Sequence, residues 1–134
     1  MDLIMGMNSG SSFDGIAVVL AETELDADGF PKAPKFLRGA SYDWPEAVAS
    51  IVRDSFENKV DMVGLNRLNY LCGAVFAEAA ARFMKENGLE SSQIKVLGLD
   101  TQTIYQEQPD HAAIAKMTPE EKADWVGRWL SGKY

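Results

Sequence analysis

Two short apolar runs, separated by a seven-residue polar turn, constrain the fold of this chain more than any other feature. Residues 3–7 and 15–21 are apolar, and the second run is rich in β-branched side chains. Between them lie residues 8–14, Asn-Ser-Gly-Ser-Ser-Phe-Asp, which are residue types that favour turns. The pattern predicts a β-hairpin with a polar, glycine-containing tip.

A third strand and two helices are expected next along the chain. A second turn cluster at residues 26–31 precedes residues 35–42, which we expect to form a strand beside the second one. From Pro45 to about residue 57 the apolar spacing is helical. The strongest helical spacing then runs from Leu65 to the stop signal Asn87-Gly88. Its apolar stripe consists of Leu65, Leu68, Cys72, Val75, Ala79 and Phe83.

The last part of the chain predicts one more strand and one more helix. Residues 94–99 are typical of a buried strand, and residues 100–110 form a polar connection. Residues 118–121, Thr-Pro-Glu-Glu, combine an N-cap, a first-turn proline and a capping-box glutamate. They predict a helix to about Leu130, capped by Gly132. The apolar face of this helix is expected to contain Val126, Trp129 and Leu130. These elements together predict an α/β domain.

Composition excludes several classes of function. Thirteen Lys and Arg residues against 20 Asp and Glu give a net charge of −7. This charge argues against a nucleic-acid partner, although backbone N–H groups and a metal can still bind phosphate. Cys72 is the single cysteine, which excludes an internal disulfide and, with His111 alone beside it, argues against structural zinc. No apolar run approaches the ~20 residues of a membrane span, and we expect a cytoplasmic protein.

The hairpin tip is the first candidate site. Glycine lets the backbone approach a ligand closely, and successive N–H groups in a tight turn bind anions. Ser9, Gly10, Ser11 and Ser12 are therefore candidate phosphate ligands, and Asp14 could hold Mg²⁺ directly or through water. The alternative is an ordinary solvated turn, because these residue types also favour turns for local reasons. Neither of the two commonest phosphate-loop motifs is present.

A second polar cluster follows the predicted strand at residues 94–99. Ligands of open α/β sheets bind outside the carboxyl ends of strands, so Asp100, Thr101, Gln102 and Thr103 are placed to meet a small polar substrate. The alternative is that Asp100 and Thr101 merely turn the chain at the end of the strand.

Three stretches resemble, in the same order, motifs of one protein family. Residues 7–16, Met-Asn-Ser-Gly-Ser-Ser-Phe-Asp-Gly-Ile, resemble the Ser-Gly-Thr-Ser-x-Asp-Gly motif of the anhydro-N-acetylmuramic acid kinases. The related levoglucosan kinases likewise tend to have Asn before this Ser. Residues 73–79 resemble the family's Gly-x-x-Phe-Ala-Glu-Ala helix. Residues 98–109 resemble its Gly-Ser-His-Gly-Gln-Thr-x-x-His-x-Pro stretch, so that the resemblance covers about residues 3–109.

The resemblance implies a fold, an activity and a set of site residues. The fold is an actin/hexokinase-like, ribonuclease H-like N-terminal lobe, a mixed sheet with flanking helices that is incomplete here. The implied activity uses ATP and Mg²⁺ to phosphorylate O6 of a 1,6-anhydro sugar while water opens the anhydro bridge. By resemblance, residues 9–12 contact the nucleotide phosphates and Asp14 serves Mg²⁺, while Asp100, Gln102 and Thr103 lie near the sugar.

The chain also departs from the family pattern. Asp100 and Thr101 replace a His and a Gly, and Gln106 replaces a later His, which leaves the identity of the sugar open. The family's catalytic Asp belongs to an Asp-x-Gly-Pro-Gly-Asn stretch that these 134 residues lack. We therefore expect residues 1–134 to be an N-terminal lobe fragment that is inactive alone. Within it, residues 1–109 are family-like and residues 110–134 are a helical insertion or the start of the next segment.

Two other functions stay open at this point. One is a non-catalytic nucleotide-binding or interaction module on the same superfold, and the other is an ATPase that transfers phosphate to water. The expected partners are a small sugar and a nucleotide, with neither nucleic acid nor membrane. Because a single lobe leaves apolar surface uncovered, we also expect two copies to associate as a homodimer.

Overall fold

The computed structural model describes residues 1–131, which fold as helices packed against one mixed sheet. In the described residues the sheet has four strands in the order β3-β2-β1-β4. The strands are β1 (Asp2–Asn8), β2 (Ile16–Thr23), β3 (Lys35–Tyr42) and β4 (Ile94–Asp100). The helices are α1 (Glu46–Phe56), α2 (Met62–Glu86), α3 (His111–Ala115) and α4 (Pro119–Leu130), and a single 3₁₀ turn, Ser91–Gln93, precedes β4.

Strand pairing confirms the predicted hairpin and the α/β class. β1 and β2 pair antiparallel from Asp2 opposite Thr23 to Asn8 opposite Ala17. β3 pairs antiparallel with β2, as expected. β4 lies parallel to β1, and α1 and α2 form the long crossover that a parallel connection requires. The mixed sheet follows from this order of one hairpin, one further antiparallel strand and one crossover.

The core lies between one face of the sheet and helices α1 and α2. Alternate residues of β1 and β2 point to this face, as the period of a strand dictates. Each large apolar side chain buried there stabilises the fold by about 1.5–3 kcal/mol. The buried residues of β1 and β2 are Met5, Met7, Ile16, Val18 and Leu20, and those contributed by the helices include Val52, Leu68, Val75, Phe76, Ala79 and Phe83.

The ends of α2 follow from local chemistry. Asp61 precedes the helix, and its carboxylate accepts a hydrogen bond of 2.7 Å from the backbone N–H of Gly64. Asn87 ends the helix, and Gly88 follows with a φ of +64°, as the predicted stop requires. Pro45, by contrast, precedes α1 as its N-cap and is not its first helical residue.

The expectation that residues 94–99 form a buried strand is wrong with respect to burial. β4 forms over the expected residues, but Val96, Leu97 and Leu99 are 57%, 41% and 44% exposed. Within the described residues, β4 is hydrogen-bonded only to β1, because it lies at the edge of the sheet. The apolar composition correctly predicted a strand, but the core covers the neighbouring strands β1 and β2 and leaves most of β4 exposed.

The last helix begins as predicted and lies outside the core. Thr118 and Glu121 form the expected capping box at the start of α4. No residue of α4 is buried, so its apolar face does not join the core; Trp129 stacks on Trp125 with ring centroids 5.5 Å apart. The predicted cap Gly132 lies outside the described residues. α3 was not predicted from the sequence, and Asp110 caps it by accepting a hydrogen bond from Ala113 N.

Among the described helices, none combines the length and the apolar character that crossing a membrane requires.

Candidate functional site

The carboxyl ends of β1 and β4 meet at one edge of the sheet. Because the two strands are parallel, Asn8, the last residue of β1, lies beside Asp100, the last residue of β4. The Asn8 side-chain amide donates a hydrogen bond of 2.7 Å from Nδ2 to Oδ2 of Asp100. The polar turn and the polar cluster after β4, which are far apart in sequence, are therefore neighbours in the structure.

Ser9 connects these two polar segments directly. Its side chain is buried, and its hydroxyl donates a hydrogen bond of 2.7 Å to Oε1 of Gln102. The same hydroxyl accepts a hydrogen bond of 3.1 Å from the indole N–H of Trp44. Gln102 is also buried and donates from Nε2 to the carbonyl of Thr103 at 2.8 Å. These bonds hold the Ser9 hydroxyl inside the protein and set the orientation of the Gln102 amide.

The tip of the hairpin presents polar groups to solvent. Ser11, Ser12 and Asp14 are exposed, and the backbone takes positive φ angles at Gly10 (+63°) and Phe13 (+52°). The backbone hydrogen bonds of turns and loops in residues 1–131 involve none of the N–H groups of residues 10–14. The Ser12 hydroxyl donates to Oδ1 of Asp14 at 3.0 Å. The tip thus offers backbone N–H groups and hydroxyls beside one carboxylate.

An aromatic cluster, consisting of Phe13, Trp44, Phe56 and Phe76, holds the tip against the helices. The ring of Phe13 lies 5.4 Å from that of Trp44 and 5.7 Å from that of Phe56, centroid to centroid. Trp44 in turn contacts Phe76 of α2 edge-on, at 5.6 Å. Such tilted and edge-to-face pairs are favourable geometries for aromatic rings. The tip is therefore exposed on its polar side and anchored on its aromatic side.

A cavity of about 520 Å³ adjoins the Ser9–Gln102 contact. It lies between α2 and the segment that follows β4. Thr101, Gln102, Asn66 and Asn69 provide its polar groups, and the remaining wall is largely apolar. The residues that line it are Met62, Leu65, Asn66, Leu68, Asn69, Cys72, Gly73, Phe76, Leu99, Thr101, Gln102 and Ile104.

Cys72 belongs to the wall of this cavity and is only half-buried, whereas the sequence predicted a core residue. One side of the residue packs against the core, and the residue also lines the cavity. Burial raises the pKa of the Cys72 thiol, which favours the neutral, weakly reactive form.

The predicted site residues occupy distinct places around the edge of the sheet. Asp100 is exposed and paired with Asn8, while Thr103 is half-buried and serves Gln102 through its carbonyl. Asn8 and Trp44 are two contributors that sequence reasoning did not single out. Two features of the sequence could have identified them: Asn8 directly follows the apolar run of residues 3–7, and Trp44 directly precedes Pro45 at the start of a predicted helix.

The residues at the tip fit a magnesium-bound phosphate group. Mg²⁺ usually takes one or two carboxylates, several waters and substrate phosphates as ligands. Asp14 supplies one exposed carboxylate, and no group of three or more His, Cys, Asp or Glu residues suited to a metal occurs in the described part of the chain. Asp14 would therefore hold a metal together with phosphate oxygens and water, and the N–H groups of residues 10–14 would bind the phosphate.

Comparison with known proteins gives consistent matches over this part of the chain. A family model described as "Anhydro-N-acetylmuramic acid kinase" matches residues 2–119. Proteins of that name from Sulfurimonas denitrificans and Caldanaerobacter subterraneus subsp. tengcongensis are 28% and 30% identical to this chain, over 79% and 77% of its length. A third, from Methylorubrum populi, is 32% identical over 78% of this chain.

These matches cover only part of each relative. They span 27% of the Sulfurimonas protein, 26% of the Caldanaerobacter protein and 31% of the Methylorubrum protein. The chain thus corresponds to about a quarter to a third of the length of these curated relatives.

These matches define the class as that of the carbohydrate kinases, which are transferases. Within that class, the chain belongs to the anhydro-N-acetylmuramic acid kinase family.

Proposed function

We propose that this chain is the phosphate-binding N-terminal lobe of an ATP-dependent sugar kinase with an actin/hexokinase-like, ribonuclease H-like fold. The reaction is phosphorylation of O6 of a 1,6-anhydro sugar with hydrolytic opening of the anhydro bridge. The observation that carries this proposal is the 2.7 Å hydrogen bond between Ser9 and Gln102. It joins the candidate phosphate turn to the candidate sugar residues at the carboxyl ends of β1 and β4, where α/β sheets bind ligands.

Each part of the edge has a proposed task. The backbone N–H groups at the tip, with the hydroxyls of Ser11 and Ser12, bind the nucleotide phosphates. Asp14 would hold Mg²⁺, which would neutralise phosphate charge, and bound ATP would supply the phosphoryl group. On the sugar side, Asp100 and the Gln102-Thr103 pair meet sugar hydroxyls, and Asn8 orients the Asp100 carboxylate through their hydrogen bond.

Residues 1–134 do not complete the reaction by themselves under this proposal. The family's Asp-x-Gly-Pro-Gly-Asn stretch, which carries the base that activates water, is absent from this sequence. Phosphoryl transfer depends on positioning and charge neutralisation around both reactants, which one side of a cleft does not provide. We also propose a cytoplasmic location, and pairing of two copies through surfaces such as the exposed β4.

Binding to this chain tests the proposal without relying on turnover. Mg·ATP added to ¹⁵N-labelled protein should shift the amide signals of residues 10–14. Levoglucosan or 1,6-anhydro-N-acetylmuramic acid should shift those of residues 100–103, and the sugar with the larger shifts is the preferred ligand. Neither sugar should stimulate ADP release above background. If Mg·ATP leaves the amide signals of residues 10–14 unchanged, the proposed phosphate site is contradicted.

Asp14→Ala tests the metal ligand. Loss of the carboxylate should weaken Mg·ATP binding at least tenfold, which corresponds to about 1.4 kcal/mol. Asp28→Ala is the matched control, because Asp28 is an exposed carboxylate in the other turn, between β2 and β3. Equal affinities of the two variants would show that Asp14 is only a turn residue.

A second candidate is a non-catalytic nucleotide-binding module. It is favoured by Asp100, which takes the place of a family His and is engaged by Asn8. This candidate predicts binding of Mg·ATP without binding of either sugar, an outcome that the same titrations distinguish.

A further inference from the structure

The Ser9 hydroxyl lies at a junction between the phosphate turn and the sugar residues. A serine hydroxyl has one proton to donate, and here that proton goes to Gln102. Its oxygen accepts from Trp44. Ser9 is 3% exposed and Gln102 is 8% exposed, so that water has little access to replace either bond. The hydroxyl thus commits its one proton and one of its lone pairs to partners within the protein.

Trp44 provides a second route between the same two regions. Its ring contacts Phe13 in the tip of the hairpin and Phe76, which lines the cavity. Its indole N–H is bonded to Ser9. A displacement of the tip is therefore transmitted to the Gln102 side chain through hydrogen bonds. It is transmitted to Phe76 in the cavity wall through the packed rings. Densely packed elements of this kind transmit displacement because they have few voids to absorb it.

We propose that Ser9 is a positioning residue that couples the two halves of the site, so that binding of sugar strengthens binding of nucleotide and the reverse. This inference rests on the proposed function and assigns to the Ser9 side chain a role other than contact with phosphate. The coupling is reciprocal, as any coupling between two binding equilibria must be. A sugar bound to Gln102 fixes that side chain, and through the hydrogen bond to Ser9 it also fixes the start of the turn. Conversely, a turn ordered by nucleotide holds Ser9, which keeps the Gln102 amide in the orientation that binds sugar.

The test is the ratio of Mg·AMP-PNP affinity with saturating sugar to that without sugar, measured by calorimetry on the full chain. For the native protein we expect a ratio of about five or more, in the range typical of coupled sites. Ser9→Ala should reduce the ratio toward one, because Gln102 and Trp44 each lose their hydrogen-bond partner and only the ring contacts of Trp44 still connect the two regions. Ser9→Thr retains the hydroxyl and should retain the coupling. A merely structural role would weaken both ligands without changing the ratio.

Trp44→Phe is the second variant, for the case that Ser9→Ala unfolds. It removes the indole donor and keeps an aromatic ring beside Phe13 and Phe76, and it too should lower the ratio. Ser50→Ala, on the exposed surface of α1, is the matched control and should leave the ratio unchanged. In NMR spectra of the native chain, sugar alone should shift the amides of residues 10–14. Sugar that enters the cavity should also shift the amides of Asn66 and Asn69 in its wall; Ser9→Ala should abolish the shifts of residues 10–14 and preserve those of Asn66 and Asn69.

Each outcome decides the matter. A ratio of one in the native chain, or an unchanged ratio in Ser9→Ala, overturns the coupling and leaves the proposed function standing. A native chain that binds neither nucleotide nor sugar overturns the proposed function itself, and the coupling with it.

Discussion

Gly15→Ala tests how the turn is held between the strands. Gly15 is buried at the junction of the hairpin tip and β2, and its φ of +145° is one that side chains other than glycine rarely adopt. A Cβ added there would lie 2.9 Å from Oγ of Ser41 and 3.3 Å from the carbonyl oxygen of Tyr42. The substitution therefore meets both an unfavourable backbone conformation and crowding against β3.

The magnitude follows from these two costs. A residue held in a sparsely populated backbone region costs on the order of 1–3 kcal/mol. Overpacking adds roughly 1–3 kcal/mol, toward the low end here because the exposed Ser41 side chain can rotate away while the Tyr42 carbonyl cannot. We expect a loss of about 3 kcal/mol in the free energy of unfolding, which lowers Tm by roughly 10 °C in a domain of this size. Such a loss is a large part of the ~5–15 kcal/mol that stabilises a typical domain.

Urea unfolding followed by tryptophan fluorescence measures this loss, with Gly29→Ala as the control. Gly29 also has a positive φ, +85°, but a Cβ there would meet no atom within 4 Å. The control should therefore lose only about 1 kcal/mol, from the backbone conformation alone. If Gly15→Ala loses no more stability than Gly29→Ala, an added Cβ at residue 15 is not crowded against β3, and the reasoning is wrong.

Three further predictions concern stability. The buried Tyr42 donates a hydrogen bond of 2.6 Å to Glu86, and burial together with this bond raises its pKa from 10.0 to about 12. The folded state therefore keeps a proton that the unfolded state loses, and stability should fall between pH 10 and about 12; Tyr42→Phe should show a smaller fall than the native chain in urea titrations across this range. Gly73→Ala, inside α2 with open space around its Cα, should stabilise the chain by about 0.5–1 kcal/mol, and a lower urea midpoint would contradict this. Thr118→Ala removes the cap of α4 at a cost of about 1 kcal/mol; because α4 has no buried residue, its amides should exchange about fivefold faster in hydrogen exchange while the global urea midpoint stays constant.

Local patterns along the sequence predicted most of the secondary structure. The hairpin, the third strand and the helical stripe from Leu65 to Phe83 depend on periodicity and turn chemistry within a few residues. The ends of α2 and the start of α4 depend on caps that involve neighbouring residues, such as Thr118 with Glu121. These interactions are short in range, so that the sequence alone determines them.

Burial depended on tertiary packing. The apolar residues 94–99 predicted a strand correctly, but only the strand order shows that β4 lies at an edge and stays exposed. The stripe of α2 likewise did not distinguish Leu68, which is buried, from Cys72, which is only half-buried, although both line the cavity. An apolar pattern indicates which side chains gain from burial, whereas the arrangement of the elements decides which of them have a neighbour to pack against.

The candidate site divides in the same way. The sequence by itself determined the composition of the turn at residues 9–14 and of the cluster at residues 100–103, including the residue types suited to phosphate and sugar. Only the tertiary structure placed Ser9 against Gln102 and Asn8 against Asp100. The physical reason is that parallel pairing of β1 with β4 brings their carboxyl ends to one edge, and no interaction between neighbours in the sequence encodes that register.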